Sequence, residues 1–184
     1  MSVQIARRHF NVTEYYRMMD VGILSGSDRV ELIDGEVVQM SPIGRRHAAC
    51  VDRLNAHFSK LENVIVRVQN PIRLNDFSEP QPDVALLRKR DDFYESGHPA
   101  PQDVLLVVEV SDSSADMDQL VKLPLYAEAG ISEFWLVNLP AEKIEMYSNP
   151  ANGTYQKSQE FKRGEQFTSD TIPGLSLSVD SILG

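Results

Sequence analysis

Two carboxylates stand at the ends of strand-like apolar runs, where they are positioned to share a metal ion. Glu109 closes Val104-Leu-Leu-Val-Val108, one of the most apolar runs in the chain, and Pro82-Asp83 opens another. An isolated carboxylate buried in such a run is costly enough that it tends to neutralise instead. A divalent cation held jointly with a second acid offsets that penalty. Lys122 follows 13 residues after Glu109 on the next helix-like segment. Two acids and a lysine converging at the edge of a sheet suit metal-assisted cleavage of a phosphodiester. Carboxylate oxygens, with a backbone carbonyl such as that of Val110, suit hard Mg²⁺ or Mn²⁺ rather than zinc. The ion would polarise a phosphoryl oxygen and lower the pKa of a water, and Lys122 would orient that water or stabilise the transition state. Each residue also has a plainer reading. Asp83 is then a strand-entry turn residue, Glu109 an edge carboxylate paired to an arginine, and Lys122 the i,i+4 partner of Asp118.

The elements that must position these residues are legible in outline. A helical pattern (Val12, Tyr15, Tyr16, Met19) occupies about 11–24, with Asn11 or Thr13 as its cap. Asp34-Gly35, between the apolar-rich runs of Arg29–Met40, is the strongest hairpin signal, since both turn positions favour positive φ. Val51, Leu54, Phe58 and Leu61 recur at helical spacing and predict an amphipathic helix over 45–61. Strands are expected at 64–69, 72–74, 83–87 and 104–110, with a surface loop over 88–103. Asp83 and Glu109 meet if their strands run antiparallel as neighbours. Ser113 or Ser114 is expected to cap a helix reaching about Ala129, with Asp116 and Asp118 in its first turns and Gly130 ending it. Pro124 should open that helix locally, because it deletes one backbone bond. Strands at about 133–138, 143–148 and 154–160 form a meander turned at Asn152-Gly153, and Gly174–Leu183 supplies a closing strand and terminal turn. This order predicts an α/β fold, a mixed sheet covered by helices on both faces.

Composition sets the frame. At 184 residues, 42% hydrophobic and 24% charged, the chain is long enough for one domain, 1–184, with one core. The single Cys50 excludes an internal disulfide, fits a reducing compartment and reads as a small buried helix residue. The N-terminal residues lack the apolar stretch of a signal peptide, and no run approaches the roughly 18 apolar residues of a membrane span. A cytoplasmic protein with no membrane partner is expected. The net charge of −9 argues against a generic nucleic-acid coating protein, because that binding rests on phosphate neutralisation by Lys and Arg. It leaves a nuclease open, since acids around a metal add to the negative total and the bound ion reverses the local sign. Arg7-Arg8-His9, Arg45-Arg46-His47 and Arg88-Lys89-Arg90 read as solvated basic patches. No GxGxxG, P-loop, CxxC, HExxH or GxSxG pattern is present, so nucleotide-binding folds, zinc hydrolases and serine hydrolases lose support.

Pro82-Asp83 followed by Glu109-Val110-Ser111 resembles the signature of the PD-(D/E)XK nuclease superfamily, the restriction-endonuclease-like fold. More narrowly, the chain resembles the bacterial restriction-endonuclease family of the Uma-two type. The matching stretches are Glu31-Leu-Ile-Asp-Gly-Glu36, Pro82-Asp83-Val84, Val108-Glu109-Val110-Ser111, Lys122–Ile131 and Glu133-Phe-Trp-Leu-Val137. Together they cover most of 29–147. The resemblance implies a restriction-endonuclease-like mixed sheet flanked by helices, with its nuclease core over about 29–148. It also implies a Mg²⁺- or Mn²⁺-dependent endonuclease acting on DNA, with Asp83 and Glu109 as metal ligands and catalytic acids. The superfamily's lysine stands two residues after the glutamate, where this chain has Ser111. The family's lysine falls on the following helix and matches Lys122. Glu31 is implied as a further acid near the metal, and His47 matches a histidine opening the family's first long helix. Cutting both strands of a duplex calls for two active sites, so a homodimer is expected. Two other readings of the same chain stand beside this one: a non-enzymatic binding or assembly module on the same fold, and a metal-dependent hydrolase of small phosphate esters.

Overall fold

The computed structural model describes residues 7–112 and 117–184. In chain order the elements are α1 (Val12–Asp20), β1 (Val30–Ile33), β2 (Glu36–Gln39), α2 (Arg45–Phe58), β3 (Val64–Val68), β4 (Val84–Arg88) and β5 (Val104–Ser111). A π-helical turn, Asp118–Lys122, then runs straight into α3 (Leu123–Glu128). The remainder comprises β6 (Glu133–Asn138), β7 (Lys143–Ala151), β8 (Thr154–Lys162), β9 (Gln166–Thr168), β10 (Ser176–Ser178) and α4 (Val179–Leu183). The expected helix cap at Ser113 or Ser114, and Asp116, lie outside the described residues.

Strands β3 to β8 form one six-stranded sheet in sequence order. Every neighbouring pair is antiparallel except β5 and β6, which are parallel. A parallel pair needs a crossover rather than a hairpin, and the segment bearing Lys122 and α3 supplies it. The sheet is mixed and helix-covered, as the order of patterns implies. Because side chains alternate across a strand, β5 serves two cores. Leu106, Val108 and Val110 pack with Cys50, Val51, Leu54 and Phe58 of α2. Val104 and Val107 pack with Leu125 and Tyr126 of α3. That explains the near-continuous apolar run: a central strand buried on both faces has no solvent side to alternate toward.

Three local structures position the site. The capping box of α1, Asn11 with Glu14, satisfies orphan backbone donors and fixes the helix start. Val12 and Tyr15 then pack on Leu32 of the β1–β2 hairpin. Asp34 and Gly35 take φ of 48° and 77° at its turn, as their sequence predicts. Finally, Pro124 cannot donate a helical hydrogen bond. The chain widens just before it, and the Leu123 N–H reaches the Asp118 carbonyl, five residues back.

One expectation is corrected. Ile72–Leu74 is no strand. Pro71 and the turn at 75–78 hold it as an extended segment whose backbone bonds go to Pro80, Pro99 and Ser78. The closing strand expected within 174–183 is β10, and its three-residue partner β9 carried no signal in the sequence. Gly35 is the position least tolerant of a side chain: a Cβ there would stand 2.5 Å from the Cβ of His9, at positive φ. Gly35→Ala should therefore lower stability by roughly 1–3 kcal/mol, or about 2–4 °C of Tm per kcal/mol. Thermal unfolding of the variant checks this, and an unchanged Tm contradicts it.

Candidate active site

The antiparallel register pairs Val84 with Val108, and one step further sets Asp83 opposite Glu109 on the same face. Both are almost inaccessible, at 8% and 3% exposure. Glu109 lies on a central strand, so the edge-carboxylate reading fails. The two acids are tied directly to the same backbone. The Val110 N–H donates to Asp83 Oδ2 at 2.8 Å, and the Asp83 N–H lies 3.4 Å from Glu109 Oε2. What is recorded for Val110 is thus an amide donation; its carbonyl as a metal ligand remains a proposal.

Lys122 is 5% exposed and not on a solvent surface. Its Nζ lies 3.0 Å from Glu31 Oε1 and 3.1 Å from Glu109 Oε1. The reading of an exposed i,i+4 pair with Asp118 is corrected: the π-helical turn aims Lys122 inward, and Asp118 is buried as well. Tyr126, one turn further on, donates its hydroxyl to Glu109 Oε1 at 2.8 Å. Glu31 is fixed from the hairpin, its Oε2 accepting the Gln81 N–H at 2.9 Å. Burial pushes Glu109 up to about 8; the Lys122 charge opposes that shift, while Asp83, Asp118 and Glu31 reinforce it. Burial works against the Lys122 charge, yet the Glu109 and Glu31 carboxylates outweigh it and hold the ammonium above its ordinary range. Lys122 thus stays charged beside a Glu109 that holds its proton more tightly than an ordinary carboxyl group.

His47 Nε2 lies 2.9 Å from Asp83 Oδ2, and its buried Nδ1 has no hydrogen-bond partner among the described residues. From the end of β3, Gln69, at a positive φ of 51°, places its side-chain amide 3.3 Å from Asp83 Oδ1. The five residues singled out by sequence (Glu31, His47, Asp83, Glu109 and Lys122) line one cleft of about 420 Å³, together with Val110. Ser111, two residues after Glu109, is buried, and its Oγ has no hydrogen-bond partner among the described residues. Sequence reasoning missed Gln69 and Tyr126. No pattern marks Gln69, whereas Tyr126 carried a usable signal, lying four residues after Lys122 and so on the same helical face.

The donor set fits a hard cation. Asp83 Oδ2 and Glu109 Oε1 are committed to short protein hydrogen bonds. Among the described residues Asp83 Oδ1 and Glu109 Oε2 have only the long contacts at 3.3 and 3.4 Å. Each acid therefore has one anchored oxygen and one with spare acceptor capacity. Five carboxylates line the cleft (Glu31, Asp83, Glu109, Asp112 and Asp118) against two permanent cations, Arg29 and Lys122. Glu133 shows the alternative. It is equally buried, but Trp135, Ser169 and Thr171 saturate it with neutral donors. Among the described residues no group of three or more His, Cys, Asp or Glu side chains is placed to hold a metal ion by itself. The arrangement is an open one, two acids with the other positions left to backbone or water, as Mg²⁺ commonly takes.

A mixed sheet with an antiparallel acid pair, a crossover lysine and a flanking histidine defines the class of fold and site. A family model described as "Putative restriction endonuclease" matches residues 12–180, and the chain belongs to that family, Uma2. The fold is shared with a solved structure described as a putative nuclease of DUF820 from Anabaena variabilis ATCC 29413. The two are 15% identical, with a TM-score of 0.68 over 95% of this chain and 97% of that one. Comparison with curated proteins found no match. Among the described residues no helix is long and apolar enough to cross a membrane.

The burial of Lys122 sets a stability test. Lys122→Met removes the charge between Glu31 and Glu109 and leaves buried acids without their counter-ion. The metal-free variant should lose roughly 3–5 kcal/mol, the scale for breaking a buried pair from one side. Urea unfolding in EDTA measures it. A loss below about 1 kcal/mol would return Lys122 to the surface-pair scale.

Proposed function

We propose that this chain is a Mg²⁺- or Mn²⁺-dependent endonuclease that hydrolyses phosphodiester bonds in DNA. The observation that carries the reading is the pairing of Asp83 with Glu109, each with one oxygen anchored and one spare, in a cleft whose acids outnumber its cations. Membership in the Uma2 family supports it. Asp83 and Glu109, with the Val110 carbonyl, would hold the ion. The ion supplies Lewis-acid polarisation of a phosphoryl oxygen and neutralises charge as the bond to the leaving oxygen breaks.

The chain's own residues do the rest. Val110 N–H and His47 Nε2 fix Asp83 Oδ2, which leaves its second oxygen oriented. Tyr126 does the same for Glu109 Oε1. Lys122 places a permanent positive charge beside the acids, in a low-dielectric setting where it acts strongly on developing negative charge. Glu31 holds that ammonium in place from the hairpin side. A symmetric pair of chains would present two such sites to the two strands of a duplex, so we assign a homodimer; light scattering at 20.7 kDa would count against it.

Cleavage of supercoiled plasmid and of a labelled duplex tests the reading. Wild type should cut in Mg²⁺ or Mn²⁺ and stop in EDTA. Asp83→Asn should lose roughly a hundredfold or more. Lys122→Arg restores charge but not the compact ammonium, and should recover little of what Lys122→Met loses. Undiminished cutting by Asp83→Asn, or in EDTA, would overturn the assignment.

A further inference from the structure

The arginines at the start of α2 take no part in the acid cluster. Arg45, Arg46, Ala49 and Arg53 line a concavity of about 330 Å³, together with Leu139 and Leu183. Arg45, Ala49 and Arg53 follow at intervals of four, so they share one face of α2, with the small alanine between two guanidinium groups. No acid lines the concavity, although the chain carries a net charge of −9. Elsewhere many basic side chains are paired with carboxylates (Arg7 with Glu36, Arg90 with Asp92, Lys157 with Asp170, Arg163 with Glu142 and Asp180), while Arg29, Arg67 and Arg88 donate singly to backbone carbonyls and do not line this concavity.

Among the described residues the three arginines of α2 form no such ion pair. Arg46 Nη2 donates to the Leu139 carbonyl at 3.0 Å, and Arg53 Nη1 to the Leu183 carbonyl at 3.0 Å. These bonds to neutral acceptors orient two guanidinium groups without neutralising them. A guanidinium fork matches phosphate oxygens in a bidentate way, and one already oriented loses less freedom on binding. The end of α2 is not itself the site: a Cβ on Gly44 would lie 3.2 Å from Asp112 Oδ2, so an acid already stands there.

The next residue after Arg46 is His47, whose ring reaches Asp83 in the cleft. Arg45 and Arg53 are eight residues apart, about 12 Å along the helix at 1.5 Å per residue. That is about three or four nucleotides at 3.4 Å of axial rise per strand. We propose that the Arg45–Arg46–Arg53 concavity anchors backbone phosphates of the polynucleotide strand outside the cleft, over a stretch of about three or four nucleotides. The inference rests on the nuclease reading and gives an acidic protein a local means of holding a polyanion.

The test is binding rather than cleavage. Fluorescence anisotropy of a labelled DNA duplex is followed with salt concentration in EDTA, for wild type and for Arg45→Ala/Arg46→Ala. Arg53 is left in place because it also ties down the C-terminal carbonyls. The double variant should bind about tenfold or more weakly, with a salt slope shallower by roughly two, one per lost phosphate contact. Arg45→Lys/Arg46→Lys should keep most of the slope. Equal affinity and slope in the alanine variant would overturn the anchor while leaving the cleavage assay to judge the cleft. If wild type binds inorganic phosphate by ³¹P NMR, the double variant does not, and neither binds DNA, the concavity serves a free anion and the strand assignment is overturned. Binding of neither probe overturns it equally.

Discussion

The ammonium of Lys122, held between Glu31 and Glu109 inside the protein, is the interaction on which the rest of the site depends. Glu109 has no freedom to leave, because it belongs to a central strand whose other side chains build both cores. Lys122 comes from the crossover that the parallel β5–β6 pair requires, and Glu31 from a hairpin held by α1 and by the turn at Asp34-Gly35. Three separate parts of the chain thus meet through one cation. A buried lysine with a single acid would be an ordinary ion pair; here it answers several acids and falls short of them all.

That shortfall gives the site its chemical character. Removing a carboxylate from water is unfavourable unless its lone pairs and charge are met. Glu133 meets the requirement with neutral donors alone and is complete. Asp83 and Glu109 are held firmly through one oxygen each, while the second oxygen of each has only a long contact. A site so built favours an added cation, and it presents that cation beside a fixed positive charge and a histidine. The same imbalance explains how an acidic chain can suit a phosphate substrate. Negative charge is concentrated where an ion would sit, while the α2 arginines line a separate concavity with no acid in its described lining.

Much of this was legible where local chemistry dictates structure. Asp34-Gly35 specified a hairpin, Asn11 or Thr13 a helix start that the structure gives to Asn11, and the apolar run ending at Glu109 a strand buried on both faces. Asp83 and Glu109 were expected to meet only if their strands ran antiparallel as neighbours, a condition that the β4–β5 register meets. Lys122 shows where such reading fails. Its i,i+4 relation to Asp118 suggests an exposed pair if the helix is regular, but Pro124 widens the turn and directs the lysine inward. Pro124 announced a disturbance without revealing its direction. Ile72–Leu74 looked like a strand by composition, yet its backbone partners are scattered over a turn and a distant loop. Gln69 gave no signal, since its role comes from a left-handed backbone at a strand end rather than from any spacing.

The account stands on Asp83 and Glu109 sharing one hard cation. Crystals soaked in Mn²⁺, with data collected at an anomalous wavelength, test this directly. The account predicts a single strong anomalous peak about 2 Å from one oxygen of Asp83 and one of Glu109. Lys122 should remain beside it. A map with no peak between these two carboxylates at saturating Mn²⁺, or a peak confined to the surface, would contradict it.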